Sequence, residues 1–305
     1  MSNKASHPPD TPLYPIREVS RLTGVNSVTL RAWERRYGLI KPQRTPKGHR
    51  LYAQADITRI EHILQWLNRG VSVSQVADLL NQPETVEAPA PASDDWDSQR
   101  RQLIAMVENL DTAGIEALYH QSLALYPLNL AINELWQPVV QTLEARWQET
   151  PDPLARHTLE ALVRSQVGIR LHHANKATRG PLLLLGPAPG EPSPLWALFV
   201  ALLASEHGYR VQLMDQPLPL ESLPQAVSRL RISMALLAAG QPTEDAALNA
   251  QLAAAADGLD VPLGLCGSPL PADGEGTAGS LHLLGDDLPR AVSRLRPLLR
   301  ESGML

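Results

Sequence analysis

Between positions 31 and 50 the chain carries Arg31, Arg35, Arg36, Lys41, Arg44, Lys47 and Arg50 against a single acid, Glu34. Cationic side chains at this density suit phosphate oxygens. Arginine can also hold the acceptor edge of a guanine with parallel N–H donors. The chemistry implied is recognition of a polyanion rather than bond making. No Ser/His/Asp or Cys/His set stands out for catalysis, and no enzyme activity is expected. The only cysteine, Cys266, is too few for a thiolate metal site or a disulfide framework and reads as a small apolar residue ending a strand. His172 and His173 are adjacent, so on a helix they point about 100° apart and suit a surface pair better than a metal. Gly186 and Gly190 bracket a turn that resembles a phosphate cradle, but Pro187, Pro189 and Pro192 remove backbone donors from it.

The elements that would position the basic cluster are legible upstream and downstream of it. Ile16, Val19 and Leu22 lie on one face of a short helix, and Gly24 supplies the left-handed residue that ends it. Asn26 or Ser27 offers a cap for a second helix, which is expected to bury Val28, Leu30 and Trp33 and to present Thr29, Arg31, Arg35 and Arg36. This is helix-turn-helix spacing, with the second helix placed for a major groove. Leu39 to Tyr52 then reads as a hairpin turning at Pro46, Lys47 and Gly48, its basic residues suited to phosphate. Asp56 is expected to cap a helix carrying Ile57, Ile60, Ile63, Leu64 and Leu67, and a short helix over 72–80 completes the domain.

Charge is segregated. The net charge of −5 hides 12 Lys and Arg against 6 Asp and Glu in residues 1–82, so the remainder is strongly acidic. A basic head on an acidic body is the electrostatic footprint of a polyanion bound at one end. The N-terminal residues have no apolar run of signal-peptide type, and the longest apolar stretch, 194–204, is too short for a bilayer, so a cytoplasmic protein is expected.

Periodicity divides the rest. Residues 1–12 are polar and proline-containing and are expected to be disordered; 13–82 form the basic domain; 83–95, rich in Pro, Ala and acid, read as a linker. Residues 96–177 show apolar spacings of three and four, and Pro127 and Pro153 sit where helices begin, which predicts a four-helix bundle. From 178 to 305 short apolar runs at 182–185, 211–213, 234–238, 261–265 and 281–284 alternate with helical segments, apart from a Gly/Pro-rich loop at 267–280. Such strands, apolar on both faces, belong to a doubly wound parallel sheet. The fold class is therefore multidomain: a mainly α winged helix-turn-helix, a helical bundle, and an α/β flavodoxin-like sheet.

The run VTLRAWERRYGLIKPQRTPKGHRLY, followed by DITRI and RGVSVSQVADLL, resembles the MerR family of bacterial regulators. Within the family it is most similar to the branch of curli regulators and light-sensing, cobalamin-dependent repressors. The resemblance implies DNA contact by Thr29, Arg31, Arg35 and Arg36 on the recognition helix, and by Arg44, Lys47, Gly48, His49 and Arg50 on the wing. Tyr37 and Tyr52 are donors to phosphate or packing residues of the hairpin, and Trp33 is a core residue. The resemblance further implies a homodimer on a near-palindromic promoter site, acting on RNA polymerase there.

It also implies a cobalamin between bundle and sheet, in a B12-binding-like domain, and here the chain departs from its relatives. Their bundle places Trp, nine residues, then Glu-His; this chain has Trp147 and then His157-Thr158. Their first strand is followed by Glu-x-His-x-x-Gly, whose His ligates cobalt; this chain has Glu191, Ser193 and Trp196. A serine hydroxyl is a poor donor to cobalt beside a neutral imidazole. No cofactor is expected, and Trp147, His157, Glu191 and Ser193 are read as the remains of the site. Alternatives are a cobalamin-binding photosensory or carrier protein, or a regulator whose acidic C-terminal half binds a protein partner.

Overall fold

In a computed structural model the chain is described for residues 12–68, 71, 73, 76, 80, 93–240, 246–267, 277–278 and 280–304. The expected disordered tail, most of the linker at 83–95 and most of the helix over 72–80 lie outside these residues. The chain falls into two compact units: Met1–Ala105 with Ala113–Leu135, and Met106–Thr112 with Trp136–Leu305. The four helices expected as one bundle are thus shared between two units.

The first unit opens with β1 (Leu13–Pro15), a strand that periodicity did not predict because three residues are too few to show one. α1 (Ile16–Thr23) follows and ends at Gly24, whose φ of 72° lies in the left-handed region and whose N–H reaches the Ser20 carbonyl. Val19 is buried, whereas Leu22, expected beside it, is exposed. α2 (Ser27–Ala32) is capped by Asn26, whose side chain accepts from the N–H groups of Val28 and Thr29, both at 2.9 Å. A π turn, Trp33–Tyr37, continues α2 without a break. β2 (Gln43–Arg44) and β3 (Arg50–Ala53) form the hairpin, and the small sheet runs β1-β3-β2, all antiparallel. α3 (Gln54–Asn68) starts two residues before Asp56, so Asp56 sits inside the first turn and its carboxylate reaches back to the N–H of Ala53 at 2.8 Å.

α4 (Ser93–Glu108) begins inside the expected linker. α5 (Thr112–Leu125) and α6 (Leu128–Ala131) follow, and a second π turn, Ile132–Trp136, runs into α7 (Gln137–Glu149). α8 (Pro153–Ala177) has Asp152 as its cap and Pro153 as its first residue, the position that tolerates a missing N–H.

The second unit is built on a sheet of β4 (Leu182–Pro187), β5 (Arg210–Leu213), β6 (Met234–Ala238), β7 (Leu263–Cys266), β8 (Thr277–Ala278) and β9 (Leu281–Gly285), ordered β5-β4-β6-β7-β9-β8. The five expected strands are parallel in doubly wound order, and β8 adds a short antiparallel edge from the Gly/Pro-rich loop. Helices α9 (Leu195–Glu206), α10 (Leu223–Leu230), α11 (Ala246–Asp257), α12 (Leu288–Ser293) and α13 (Leu295–Glu301) complete the fold. Every residue of α9 from Leu195 to Ala204 is buried, as its unbroken apolar run predicts. Asn175 of α8 clamps the sheet edge by exchanging two 2.9 Å hydrogen bonds with the backbone of Val211. Among the described residues no helix is long and apolar enough to cross a membrane.

Candidate nucleic-acid interface and the degenerate effector site

The helix Ser27–Tyr37 and the hairpin are fixed to each other by the one acid of the basic region. Glu34 accepts from Nη2 of Arg44 at 2.7 Å through one oxygen and from Nε of Arg50 through the other. Burial raises the pKa of Glu34, but the hydrogen bonds from Arg50 and Arg44 outweigh it and hold the carboxyl below its ordinary value. The wing tip is closed by backbone bonds: the N–H of Thr45 donates to the His49 carbonyl and that of Gly48 to the Thr45 carbonyl, both at 2.8 Å. Gly48, at φ 82°, makes this turn in a conformation that glycine adopts without strain.

Arg31, Arg35, Arg36, Arg44, Lys47, Gly48 and His49 are exposed, and Tyr37 is half-buried. Thr29 is corrected as an expected contact, and of the two readings of Tyr52 burial favours packing. Thr29 is fully buried and its hydroxyl has no hydrogen-bond partner among the described residues; the exposed residue of that turn is Val28, at 58%. The recognition helix thus buries Thr29, Leu30 and Trp33, not Val28, because a polar residue takes a core position that hydrophobicity alone assigns to valine. Tyr52 is also fully buried, its hydroxyl without a partner among the described residues and its pKa pushed up to about 12 by burial. It therefore packs in the hairpin and cannot reach a phosphate. Arg50 is largely withdrawn from solvent and committed to Glu34. Glu34 itself was missed as a functional residue; its isolation among seven cations was the available signal. Trp33 is core, as expected, and its indole N–H donates to the Leu125 carbonyl at 2.9 Å.

In the second unit the residues read as remains of a ligand site each have partners within the fold. Trp147 is buried with the Arg156 guanidinium 5.1 Å above its ring. His157 is exposed, its ring nitrogen 3.4 Å from Glu160. Ser193 is buried and its hydroxyl accepts from the Leu195 N–H at 3.4 Å. Glu191 accepts from the N–H of Gly240 at 2.7 Å and from that of Ser193 at 3.2 Å, so it braces the loop after β4 against the end of β6. The Ala188 N–H goes to Ala238 and the Glu191 N–H to Ala188, which leaves those amides unavailable to a phosphate.

Trp196 packs against Gly240. It is fully buried, and a Cβ placed on Gly240 would lie 2.1 Å from its indole nitrogen. Its N–H donates to both oxygens of Glu144, each at 3.1 Å. Glu144, which sequence reading did not single out, is nearly buried on α7. Burial first, and the charge of Glu191 second, push its pKa up to about 7, while burial also raises Glu191. Cys266 is buried and its thiol is pushed up to about 12, which suits a packing residue. Among the described residues no group of three or more His, Cys, Asp or Glu is placed to hold a metal ion.

Residues 14–83 match the family described as MerR HTH family regulatory protein. The chain is 32% identical over 206 residues to the HTH-type transcriptional regulator MlrA of Escherichia coli (strain K12), covering 68% of this chain and 81% of the relative. It is 30% identical over 230 residues to the HTH-type transcriptional repressor CarH of Myxococcus xanthus, covering 72% and 76%. A cobalamin-binding protein from Desulfitobacterium hafniense DCB-2 of known structure aligns with 66% of this chain and 98% of its own, at 11% identity and a TM-score of 0.31. The chain belongs to the MerR family of helix-turn-helix regulators.

Proposed function

We propose that this DNA-binding transcriptional regulator works as a homodimer, each head reading one half of a near-palindromic promoter element where RNA polymerase engages. The observation that carries the reading is the brace at Glu34. It ties the exposed arginine face of the recognition helix to the cationic wing as one rigid surface, which can enter a major groove while gripping the adjacent backbone. Arg31 and Arg35 are the base readers, and Lys47, Arg44 and His49 take phosphate.

The effector half of this regulator does not take cobalamin. A cobalt ligand is absent at Ser193, whose hydroxyl is engaged with the helix it precedes, and the space against Gly240 is occupied by Trp196. We read the Glu144–Trp196–Gly240 contact as a packed core in place of a ligand cleft.

Footprinting of the full-length protein on its own upstream region tests the first part. Protection of two symmetric half-sites is expected; binding with single-site stoichiometry and no symmetry would remove the dimer. Equilibrium dialysis against micromolar adenosylcobalamin tests the second, with no retention expected. Retention with a shifted visible spectrum would overturn the reading of this half.

A further inference from the structure

Of the exposed residues of the recognition helix, Val28 is the one that the expected DNA contacts omit. It is 58% exposed, whereas its neighbours Thr29 and Leu30 are fully buried. Within α2 (Ser27–Ala32), Val28 and Arg31 stand at i and i+3 and so share one face, and Arg35 follows in the π turn. All three are exposed. A single exposed valine is ordinary on a protein surface, but this one shares its helix face with Arg31, on the element that addresses DNA. Its side chain has no hydrogen-bonding group, so it can satisfy only an apolar feature. The major groove offers one such feature on a base edge, the C5-methyl group of thymine. Valine is held to essentially one χ1 rotamer in a helix, so its two methyl groups are fixed in place before DNA arrives.

We propose that Val28 determines specificity by packing on the C5-methyl of one thymine in each half-site. The inference rests on the reading that this helix enters the major groove. It adds an apolar contact to the arginine contacts, at the position where a buried Thr29 makes none.

The test is a double-mutant cycle in which the DNA loses only a methyl group. Duplexes are selected from a random pool with the full-length protein, and each thymine of the selected site is replaced in turn by deoxyuridine. Burial of one methyl-sized group corresponds to about a fourfold change in affinity. One deoxyuridine position per half-site should weaken binding by that factor in the wild type and have no effect in Val28→Ala. Val28 is exposed, so the variant is expected to fold, and a circular dichroism melt checks it. Equal deoxyuridine sensitivity in the two proteins overturns the proposal, as does a wild type indifferent to every substitution. If no sequence is selected at all, both this inference and the promoter reading beneath it fall, a result distinct from selection without methyl dependence.

Discussion

The indole N–H of Trp33, in the π turn of the recognition helix, donates to the carbonyl of Leu125, the last residue of α5, at 2.9 Å. The final carbonyls of a helix have no partner within it, and here one is satisfied by the DNA-reading element. The head is thereby seated on the helical segment that follows it in the same unit. Trp33→Phe keeps much of the ring burial and removes this bond. It is expected to cost about 1–3 kcal/mol through an underpaired buried carbonyl, seen as a lowered unfolding midpoint in urea. An unchanged midpoint would mean that the seat contributes nothing to stability.

Glu34→Gln should separate affinity from specificity. Removing the carboxylate releases two guanidinium groups, so binding to random DNA should tighten and its salt dependence steepen. The wing would no longer be fixed to the helix, and the ratio of cognate to random affinity should fall. Fluorescence anisotropy over a salt series measures both. A variant with an unchanged ratio would show that the brace does not set specificity.

Arg31→Ala and Lys47→Ala should differ in kind. Arg31 stands on the exposed face of the recognition helix, and its loss should cost about 1–3 kcal/mol on cognate DNA while relaxing base preference. Lys47 stands at the wing tip, and its loss should weaken all sequences alike and lower the salt slope by about one. Equal losses on cognate and random DNA for both variants would contradict this division.

Thr29 gives a prediction through its hydroxyl, buried without a partner among the described residues. Thr29→Val replaces that group with a methyl of similar size. Stability should be unchanged or rise by up to about 1–2 kcal/mol, because no buried polar group is then left unsatisfied. Affinity for DNA should not move. A marked loss of binding with intact folding would restore Thr29 to the interface.

The turn of the head was readable because its residues have special conformational needs. Gly24 takes a positive φ and Asn26 carries a capping oxygen, and both functions follow from residue type. The parallel sheet was readable for a similar reason: strands apolar on both faces, such as 234–238, admit few other placements. The errors came where side-chain type and environment disagree. A threonine in the core and a valine on the surface reverse the usual order, so Thr29 and Val28 were exchanged. Glu144 and Glu34 were passed over because their partners, Trp196 and Arg50, are distant in sequence. No local pattern announces such a pair. The substitution of Ser193 and Trp196 was legible residue by residue, but not that the indole would find a carboxylate on α7.

That carboxylate makes the second unit sensitive to pH. Glu144 is faced by Glu191, Glu160, Arg156 and the Trp196 N–H, and its folded pKa of about 7 lies above its ordinary 4.5. A group whose pKa is raised on folding favours the folded state when protonated. The contribution is full below pH 4.5 and is lost as pH rises through 7, at a slope of at most about 1.4 kcal/mol per pH unit. Glu191, raised in the same direction, adds to the same trend. Stability of the full-length protein should therefore decline between about pH 5 and pH 7.5 more steeply than in Glu144→Gln. The amide keeps an oxygen for the Trp196 N–H without a charge to bury. At pH 8 the variant should be the more stable of the two by on the order of 1–3 kcal/mol. Urea unfolding followed by tryptophan fluorescence at pH 5.5 and pH 8 measures the difference, and parallel pH profiles for the two proteins would show that Glu144 is ionised in the folded chain throughout.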